Sequence, residues 1–507
     1  MKRLIYIIFS VIPFMATSQN MYNITGLLEN DPAGTARFVS MGGSMGALGG
    51  DLSVMGTNPA GTAVYRSCDF NLTGVFDVVK NDAKLGKTSV QSGYNGVNMS
   101  NMGFVIACEV DEHPVKYVNF GGNYRRKVNF NRNFEMLGAA NSSFSQQNVF
   151  NYLYDKNSFT LGNVTSEMYN DFQYDWLTML ASDAGICDDD GNFLLNSEKT
   201  DFIYTPAWLG YYSEERGNLS VLDMNLSVNI DDRAYVGATL GCHILNYSRS
   251  TFYYEDEEEF GIYSLSNDYR VTGTGYDFKL GAIFRPLENL MPLKLGLFVH
   301  TPVFYKLLDC FSAKMVGPEG YAADTKSEDC YGDDLYFTYK LKTPWRLGAA
   351  VSYTFGRSLA LNAEYEYANA ASTSFTDRGS IYDMQNEEIA YNLKKQHTVR
   401  LGAEYLLGKY AFRAGYNYIS SPFNTDAYKC IDNTTISETS TEYMNKYSKN
   451  VVTLGAGYTN KFCYFDVAYM YQTQKADFYP YDDGNMIPVT TVTTAGHSMM
   501  ASIGFCF

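Results

Sequence analysis

The sequence predicts an all-β protein, a 14-stranded antiparallel transmembrane β-barrel. Three observations predict it. Many segments alternate apolar and polar residues with a period of two, the connections between them alternate short and long, and the chain opens with a secretory leader. The 507 residues include 15% aromatics, with Tyr 43, Phe 32 and Trp 3, and only 19% charged residues. Disordered chains have the opposite composition. Past residue 20 no apolar run approaches the roughly 20 residues that a spanning helix needs. The formal charge is −16. Nucleic-acid binders carry a basic footprint, so a nucleic-acid partner is not expected.

Residues 1–18 read as a signal peptide. Lys2 and Arg3 form the basic region, Leu4 to Met15 the apolar core, and Ala16-Thr17-Ser18 supplies small residues before a cleavage expected at Gln19. No Cys follows the cleavage point, so a lipid anchor is not expected there.

The clearest strand is Leu219 to Ile230. Leu222, Met224, Leu226, Val228 and Ile230 share one face, and Asp223, Asn225, Ser227 and Asn229 share the other. Fourteen such segments occur, near 69–79, 97–108, 116–128, 219–231, 234–253, 269–285, 292–305, 343–355, 358–370, 396–408, 409–420, 448–459, 462–474 and 495–507. Most reach the roughly 9–11 residues that a tilted strand needs to cross a bilayer. Asp232-Arg233, Gly356-Arg357, Gly408 and Thr459-Asn460-Lys461 are short connections. Long polar ones fall at 80–95, 129–218, 254–268, 306–342, 371–395, 421–447 and 475–494. Outer-membrane barrels have short periplasmic turns and long extracellular loops. The alternation therefore predicts a multi-pass protein of the Gram-negative cell outer membrane, with both barrel ends periplasmic and outer-membrane lipid and lipopolysaccharide as partners.

Tyr and Phe crowd the segment ends, as at Tyr410, Phe412, Tyr416 and Tyr418, in the manner of interfacial girdles. His497, Met499, Ala501, Ile503, Phe505 and Phe507 share the face of the last segment. This ending resembles the terminal strand of outer-membrane barrels, which implies recognition by the barrel assembly machinery. Residues 129–218 are too long for a bare loop. Within them Met168, Phe172, Trp176, Met179 and Leu180 have near-helical spacing, so a partly helical extracellular loop is expected.

Residues 19–66 are rich in Gly and poor in strand signal. Small residues permit tight turns and close backbone approach, which suits either a plug threaded into the lumen or a flexible tail. The segment carries Gly46-Ala47-Leu48-Gly49-Gly50, then Asp51 and Ser53, and ends in Asn58-Pro59-Ala60-Gly61 just before the first strand. In this order and spacing it resembles the FadL-type outer-membrane transporters of hydrophobic compounds. The resemblance covers the whole chain: signal, N-terminal lumenal hatch (19–66), barrel (67–507) and terminal Phe507. It implies that Asn58, Pro59 and Ala60 form the hatch motif. It also implies that an apolar small-molecule ligand, such as a long-chain fatty acid, passes from the outer mouth toward the hatch and leaves sideways through a kinked early strand. Gly121-Gly122 in the third strand is the expected kink, because Gly weakens strands and permits bulges.

Parity points Arg125, Asp223, Lys279, Arg346, Glu364, Glu366, Arg400, Glu404, Arg413 and Asp466 into the lumen. A bracing network is one reading. A clamp for an anionic head group, with Arg346, Arg400 and Arg413 as its bases, is the other. The five His include His243 and His300 on nearby strands, with no nucleophile to pair with them and no GxSxG motif, so no catalytic site is expected. No zinc-like cluster occurs among the nine Cys, and neither metal nor cofactor is expected. Cys310 and Cys330 share one loop, where a bridge and two free thiols are both open. The acidic stretches Asp188-Asp189-Asp190, Glu255 to Glu259 and Asp482-Asp483 lack a full calcium-loop spacing and read as solvated loops. A general porin for small polar solutes is the alternative function, and an outer-membrane enzyme the third.

Overall fold

Fourteen strands pair in up-and-down order and close, the first against the last. The computed structural model describes residues 20–139, 146, 149, 166–171, 175–186, 207–257, 261–286, 292–376, 382–429, 437–481 and 489–507. The leader and the acidic stretches at 188–190 and 482–483 lie outside them. The strands are β1 (Asp69–Leu85), β2 (Thr88–Glu112), β3 (Val115–Asn129 and Arg132–Ala139), β4 (Trp208–Ile230), β5 (Ala234–Glu257) and β6 (Gly261–Phe284). They continue with β7 (Leu293–His300 and Phe304–Val316), β8 (Leu335–Lys342 and Arg346–Phe355) and β9 (Leu359–Asn369 and Ser374–Thr376). The last five are β10 (Lys395–Leu407), β11 (Tyr410–Ile419), β12 (Tyr443–Thr459), β13 (Cys463–Tyr479) and β14 (Thr490–Cys506). Neighbours are antiparallel throughout, and β1 meets β14 from Asp69↔Cys506 to Lys84↔Thr491. The two ends of the barrel lie together: Cys68 N donates to Phe507 O (3.0 Å) and Phe507 N returns the bond to Cys68 O (3.1 Å).

The polarity of the wall is inside-out. On β4, Met224 and Leu226 are 53% and 54% exposed, while their neighbours Asp223 and Asn225 are 0% and 1% exposed. On β1, Phe70, Leu72 and Phe76 face outward and Asn71, Thr73 and Asp77 inward. A soluble protein buries the apolar set. Only a lipid surround favours the reverse, and closure leaves no unpaired outer edge in that medium. The chain is a transmembrane barrel.

All fourteen expected segments are strands, and several run further than expected. Residues 80–95 are not a long loop. β1 and β2 continue to a tight turn at Gly86, whose φ of 59° favours glycine. Residues 254–257 and 261–268 likewise belong to β5 and β6. Their outward residues switch from apolar (Phe70, Leu72, Phe76) to polar (Lys80, Lys84) as the hairpin leaves the membrane, so the amphipathic signal stops while the strand does not. For the same reason Glu255 is not solvated. It is wholly buried and accepts from Gln146 N (2.6 Å) and Tyr253 Oη (2.6 Å).

Within 129–218 two helices are described, Ser166–Asp171 and Trp176–Asp183. Asp175 caps the second, its Oδ1 accepting from Thr178 N (3.0 Å). Trp176 packs between Phe311 of β7 and Tyr331 (5.9 and 5.1 Å between ring centroids). Cys310 and Cys330 are both free thiols, and Cys330 Sγ donates to Asp183 Oδ2 (3.8 Å), as does Tyr169 Oη (2.9 Å). Burial raises the Asp183 carboxyl to about 6, against the lowering by these two donors. A carboxyl raised by folding favours the folded state most when protonated. Protection of residues 166–186 from hydrogen exchange, corrected for intrinsic rates, should therefore fall as pH rises from 3.8 through about 6, and Asp183→Asn should flatten that profile.

Candidate functional site

The N-terminal segment lies inside the barrel, folded as short helical turns: Met21–Ile24, Thr25–Leu28, Ala36–Ser40, Leu52–Gly56 and Pro59–Val64. It approaches the wall closely at several glycines. A Cβ on Gly281 would overlap Asn58 Oδ1, one on Gly237 would overlap Pro59 O, and one on Gly296 would sit 2.5 Å from Gly46 O. A second patch, Gly402, Gly415 and Gly455, takes the turn from Ser40 to Ser44 with the same closeness. That turn bends through Gly42 and Gly43, at φ of 63° and 70°.

The three motif residues hold the first patch. Asn58 Oδ1 accepts from Ala60 N (3.2 Å) and caps the turn Pro59–Val64, while Nδ2 donates to Gly46 O (2.5 Å) and to Ala282 O of β6 (3.3 Å). Pro59 starts the turn, where its missing N–H costs nothing. Ala60 packs with Ala63, Tyr235 and Ile283. Asp51 and Ser53 bind Thr35 from the other side: Thr35 Oγ1 donates to Asp51 Oδ2 (2.7 Å) and Thr35 N to Ser53 Oγ (2.8 Å). His300, protonated on Nε2, donates to Thr57 O (2.6 Å).

The ten residues assigned to the lumen by parity all point inward and are tied to one another. Arg400 Nη1 donates to Glu364 Oε1 (2.8 Å) and Glu366 Oε2 (2.9 Å). Arg346 reaches Glu366 Oε1 (3.2 Å) and Leu28 O (3.2 Å). Arg413 binds Glu404 Oε2 (2.6 Å) and Asp466 Oδ1 (2.6 Å), and Arg37 of the N-terminal segment takes both oxygens of Glu404 (3.1 and 3.0 Å). Lys279 joins Asp223 and Asp277 (both 2.9 Å). His243 lies between Asp277 Oδ1 (3.1 Å) and Tyr305 Oη (3.2 Å). Each of the three arginines considered for a head group is thus already held by carboxylates.

Above the helical turns is a cavity of about 220 Å³. Phe130, Phe134, Tyr211, Val271, Met444 and Phe478 give it apolar walls, and residues 22–33 form its floor. Charged side chains line it as well, and most of them are paired. Glu29 meets Lys446 (2.7 Å) and Lys449 (3.3 Å), Asp31 meets Lys449 (2.9 Å), and Arg132 meets Glu215 (2.5 Å). Burial alone would raise the Glu29 carboxyl, but the two ammonium groups outweigh it and hold it well below the usual range. Lys127 borders this cavity and a smaller one of about 40 Å³ beneath it, and its ammonium has no ion pair or hydrogen bond among the described residues.

Gly121 and Gly122 lie within an unbroken ladder. Gly121 pairs with Val105 and Asn225, and Gly122 with Phe104 and Met224. Gly121 leaves room for Met55 Cε of the N-terminal segment. The interruption of β3 lies instead at Phe130-Asn131. There Phe130 N donates to Gly217 O (3.1 Å), Asn131 Oδ1 accepts from Gly217 N (2.9 Å), and Gly217 has a φ of 115°. Just before it, a register shift between Arg126 and Val128 turns Arg126 inward onto Asp77 (2.6 Å). Parity misses Arg126 because a bulge resets the alternation.

Gly281→Val should overpack the docking patch and destabilise the folded protein by about 1–3 kcal/mol, read as a lower urea midpoint in detergent. The same change at Gly74 of β1, which has open space around it and no positive φ, should leave the midpoint unchanged.

No known family profile and no curated protein matches the chain. Among solved structures it is similar to a Pseudomonas aeruginosa FadL homologue (TM-score 0.55, 12% identity, covering 94% of this chain and 99% of that one). It is also similar to the P. putida toluene transporter TodX (TM-score 0.51, 11% identity, 94% and 99%). At these identities the likeness is one of fold. With its closed 14-stranded wall, this chain has the FadL-type barrel fold.

Proposed function

We propose that this protein carries hydrophobic compounds passively across the outer membrane, and that it is not an enzyme. The observation that supports the reading best is a cavity walled in part by aromatic and aliphatic side chains, resting on a lumen packed with the N-terminal segment. A general porin needs an open aqueous channel, and a packed lumen argues against one. Apolar solutes need the reverse, an enclosed pocket that offers them apolar walls.

The size narrows the ligand. A cavity of about 150 Å³ lined by apolar side chains holds benzene, so about 220 Å³ suits a single substituted ring. The P. putida protein of the same fold is named for toluene. A long-chain fatty acid is the second class. Its carboxylate would find its cation in Lys127 rather than in Arg346, Arg400 or Arg413. In this reading Asn58, Pro59 and Ala60 seat the hatch, the ligand enters from the extracellular side above residues 22–33, and it leaves laterally into the membrane. The long loops are extracellular, both barrel ends are periplasmic, the outward faces meet outer-membrane lipid and lipopolysaccharide, and Phe507 is read by the assembly machinery.

Protein purified in mild detergent should yield a stoichiometric apolar compound by mass spectrometry against a mock preparation. A ligand-free sample with large, steady conductance would move the reading to a porin. Lys127→Met should weaken oleate binding about tenfold and leave toluene binding unchanged, as an ion-pair loss of roughly 1.4 kcal/mol would.

A further inference from the structure

Around the smaller cavity the lumen carries more positive charge than it pairs. This cavity of about 40 Å³ is lined by Gly56 and Thr57 of the N-terminal segment and by five bases of the wall. The bases are Arg125 and Lys127 of β3, Lys279 of β6, Arg346 of β8 and Arg400 of β10. Four carboxylates of the wall answer them. Asp223 is shared by Lys279 (2.9 Å) and Arg125 (3.5 Å), and Asp277 is held by Lys279 (2.9 Å). Glu364 is held by Arg400 (2.8 Å), and Glu366 is shared by Arg400 (2.9 Å) and Arg346 (3.2 Å). Asp31 also lines the cavity, but it belongs to a balanced set with Lys449, Glu29 and Lys446. The histidines need no acid. One ring proton on His243 serves both Asp277 and Tyr305, and His300 donates to Thr57 O.

The surplus sits at Lys127. The ladder of β3 with β4 passes from Arg126↔Ser220 to Val128↔Leu219, so Lys127 is the extra residue of a bulge. A bulge re-aims the side chain it carries, and this one lines both cavities. Its ammonium has no ion pair or hydrogen bond among the described residues. Arg125, two residues earlier, is 7% exposed, and the long contact to Asp223 is its one ion pair among the described residues. Its Nε is buried and has no partner among them. An ammonium and a guanidinium thus border one small cavity with donors unused. A buried charge without a partner is costly, and such donors hold anions through charge-assisted hydrogen bonds. One water needs roughly 10–15 Å³ of space of this kind. About 40 Å³ therefore takes a halide with a water or two beside it, and is too small for an alkyl chain.

We propose that this small cavity binds one monovalent anion of halide size, held by the Lys127 ammonium and Arg125 Nε between β3 and the N-terminal segment. One negative charge balances five bases against four carboxylates. The ion also secures the segment. Gly56 packs directly on the Arg125 guanidinium, where a Cβ would overlap Nη2, and Arg346 joins Glu366 to Leu28 O (3.2 Å). Filling the site therefore fixes bases that hold the segment from two sides. Lys127 also borders the larger cavity, so a carboxylate entering from there meets the same ammonium and competes with the free ion. The proposal stands on charge balance and does not require the transport reading.

The test uses the purified full chain in mild detergent at constant ionic strength. Sodium chloride or bromide is exchanged for sodium gluconate, whose anion is too large for the cavity. Halide should raise the urea midpoint saturably. Crystals soaked in sodium bromide should show one anomalous-scattering peak within hydrogen-bond reach of Lys127 Nζ and Arg125 Nε. Lys127→Met should lose both the rise and the peak, and Lys127→Arg should keep them. A midpoint indifferent to halide, with no peak at the site, overturns the proposal on the unmodified protein alone, whether or not the variants fold. A peak that persists in Lys127→Met marks an adventitious ion only and overturns it too. Oleate added to the bromide-loaded protein distinguishes the sources of negative charge. Loss of the peak with oleate but not with toluene supports a site shared with a carboxylate, and a peak kept under both supports a site for the free ion alone. Loss of anion binding leaves the transport reading untouched, and absence of toluene and oleate uptake leaves the anion site standing.

Discussion

The rest of this structure depends on close backbone approach between the N-terminal segment and the wall. Hydrogen bonds from a chain inside a barrel can reach the wall only if side chains stand aside. Six inward glycines do this, Gly237, Gly281 and Gly296 on one side and Gly402, Gly415 and Gly455 on the other. Between these two patches the segment is pinned near both of its bends, at Ser40–Ser44 and at Asn58–Ala60. The residues before both patches, 20–33, meet the wall without glycine docking, through apolar packing of Met21, Ile24, Leu27 and Leu28 and through polar pairs, as Glu29 makes with Lys446 and Asn30 with Glu366. The cavity forms where glycine docking ends and this looser contact begins.

Lipid outside and a packed lumen inside leave charged residues little water, so most of them have a partner in place. The lumen answers with carboxylates between bases: Glu366 between Arg346 and Arg400, Glu404 between Arg37 and Arg413, and Asp223 between Lys279 and Arg125. Removing one partner of such a pair strands a buried charge, which costs about 3–5 kcal/mol. The brace is therefore rigid by construction. Main-chain pairing of β2 with β3 ends at Asn101↔Arg125, and residues of β3 above that point line the cavity.

Much of this was legible in the sequence. Period-two alternation located all fourteen strands, because a bilayer enforces apolar residues on the outward face at every crossing. The same parity placed Arg125, Asp223, Glu364 and Arg400 in the lumen. Asn58-Pro59-Ala60 lies where the N-terminal segment meets Gly237 and Gly281 of the wall. Other features left no such trace. The upper parts of β1, β2, β5 and β6 extend past the membrane, where outward residues turn polar and alternation no longer reports a strand. Arg126 sits at the edge of a bulge, where the alternation of faces breaks. The strand break at Phe130-Asn131 is built from Asn side chains against Gly217, a pairing between strands that a single segment does not reveal. Gly121-Gly122 looked like a weak point by composition, yet these glycines sit in a continuous ladder and make room for Met55.

The central claim is that the N-terminal segment closes the lumen. It is tested most directly by single-channel conductance in planar bilayers, comparing the mature chain with one lacking residues 20–65. The account predicts a near-silent mature chain and a large, steady ohmic conductance for the truncated one. Equal conductance from two equally well-assembled barrels would contradict it.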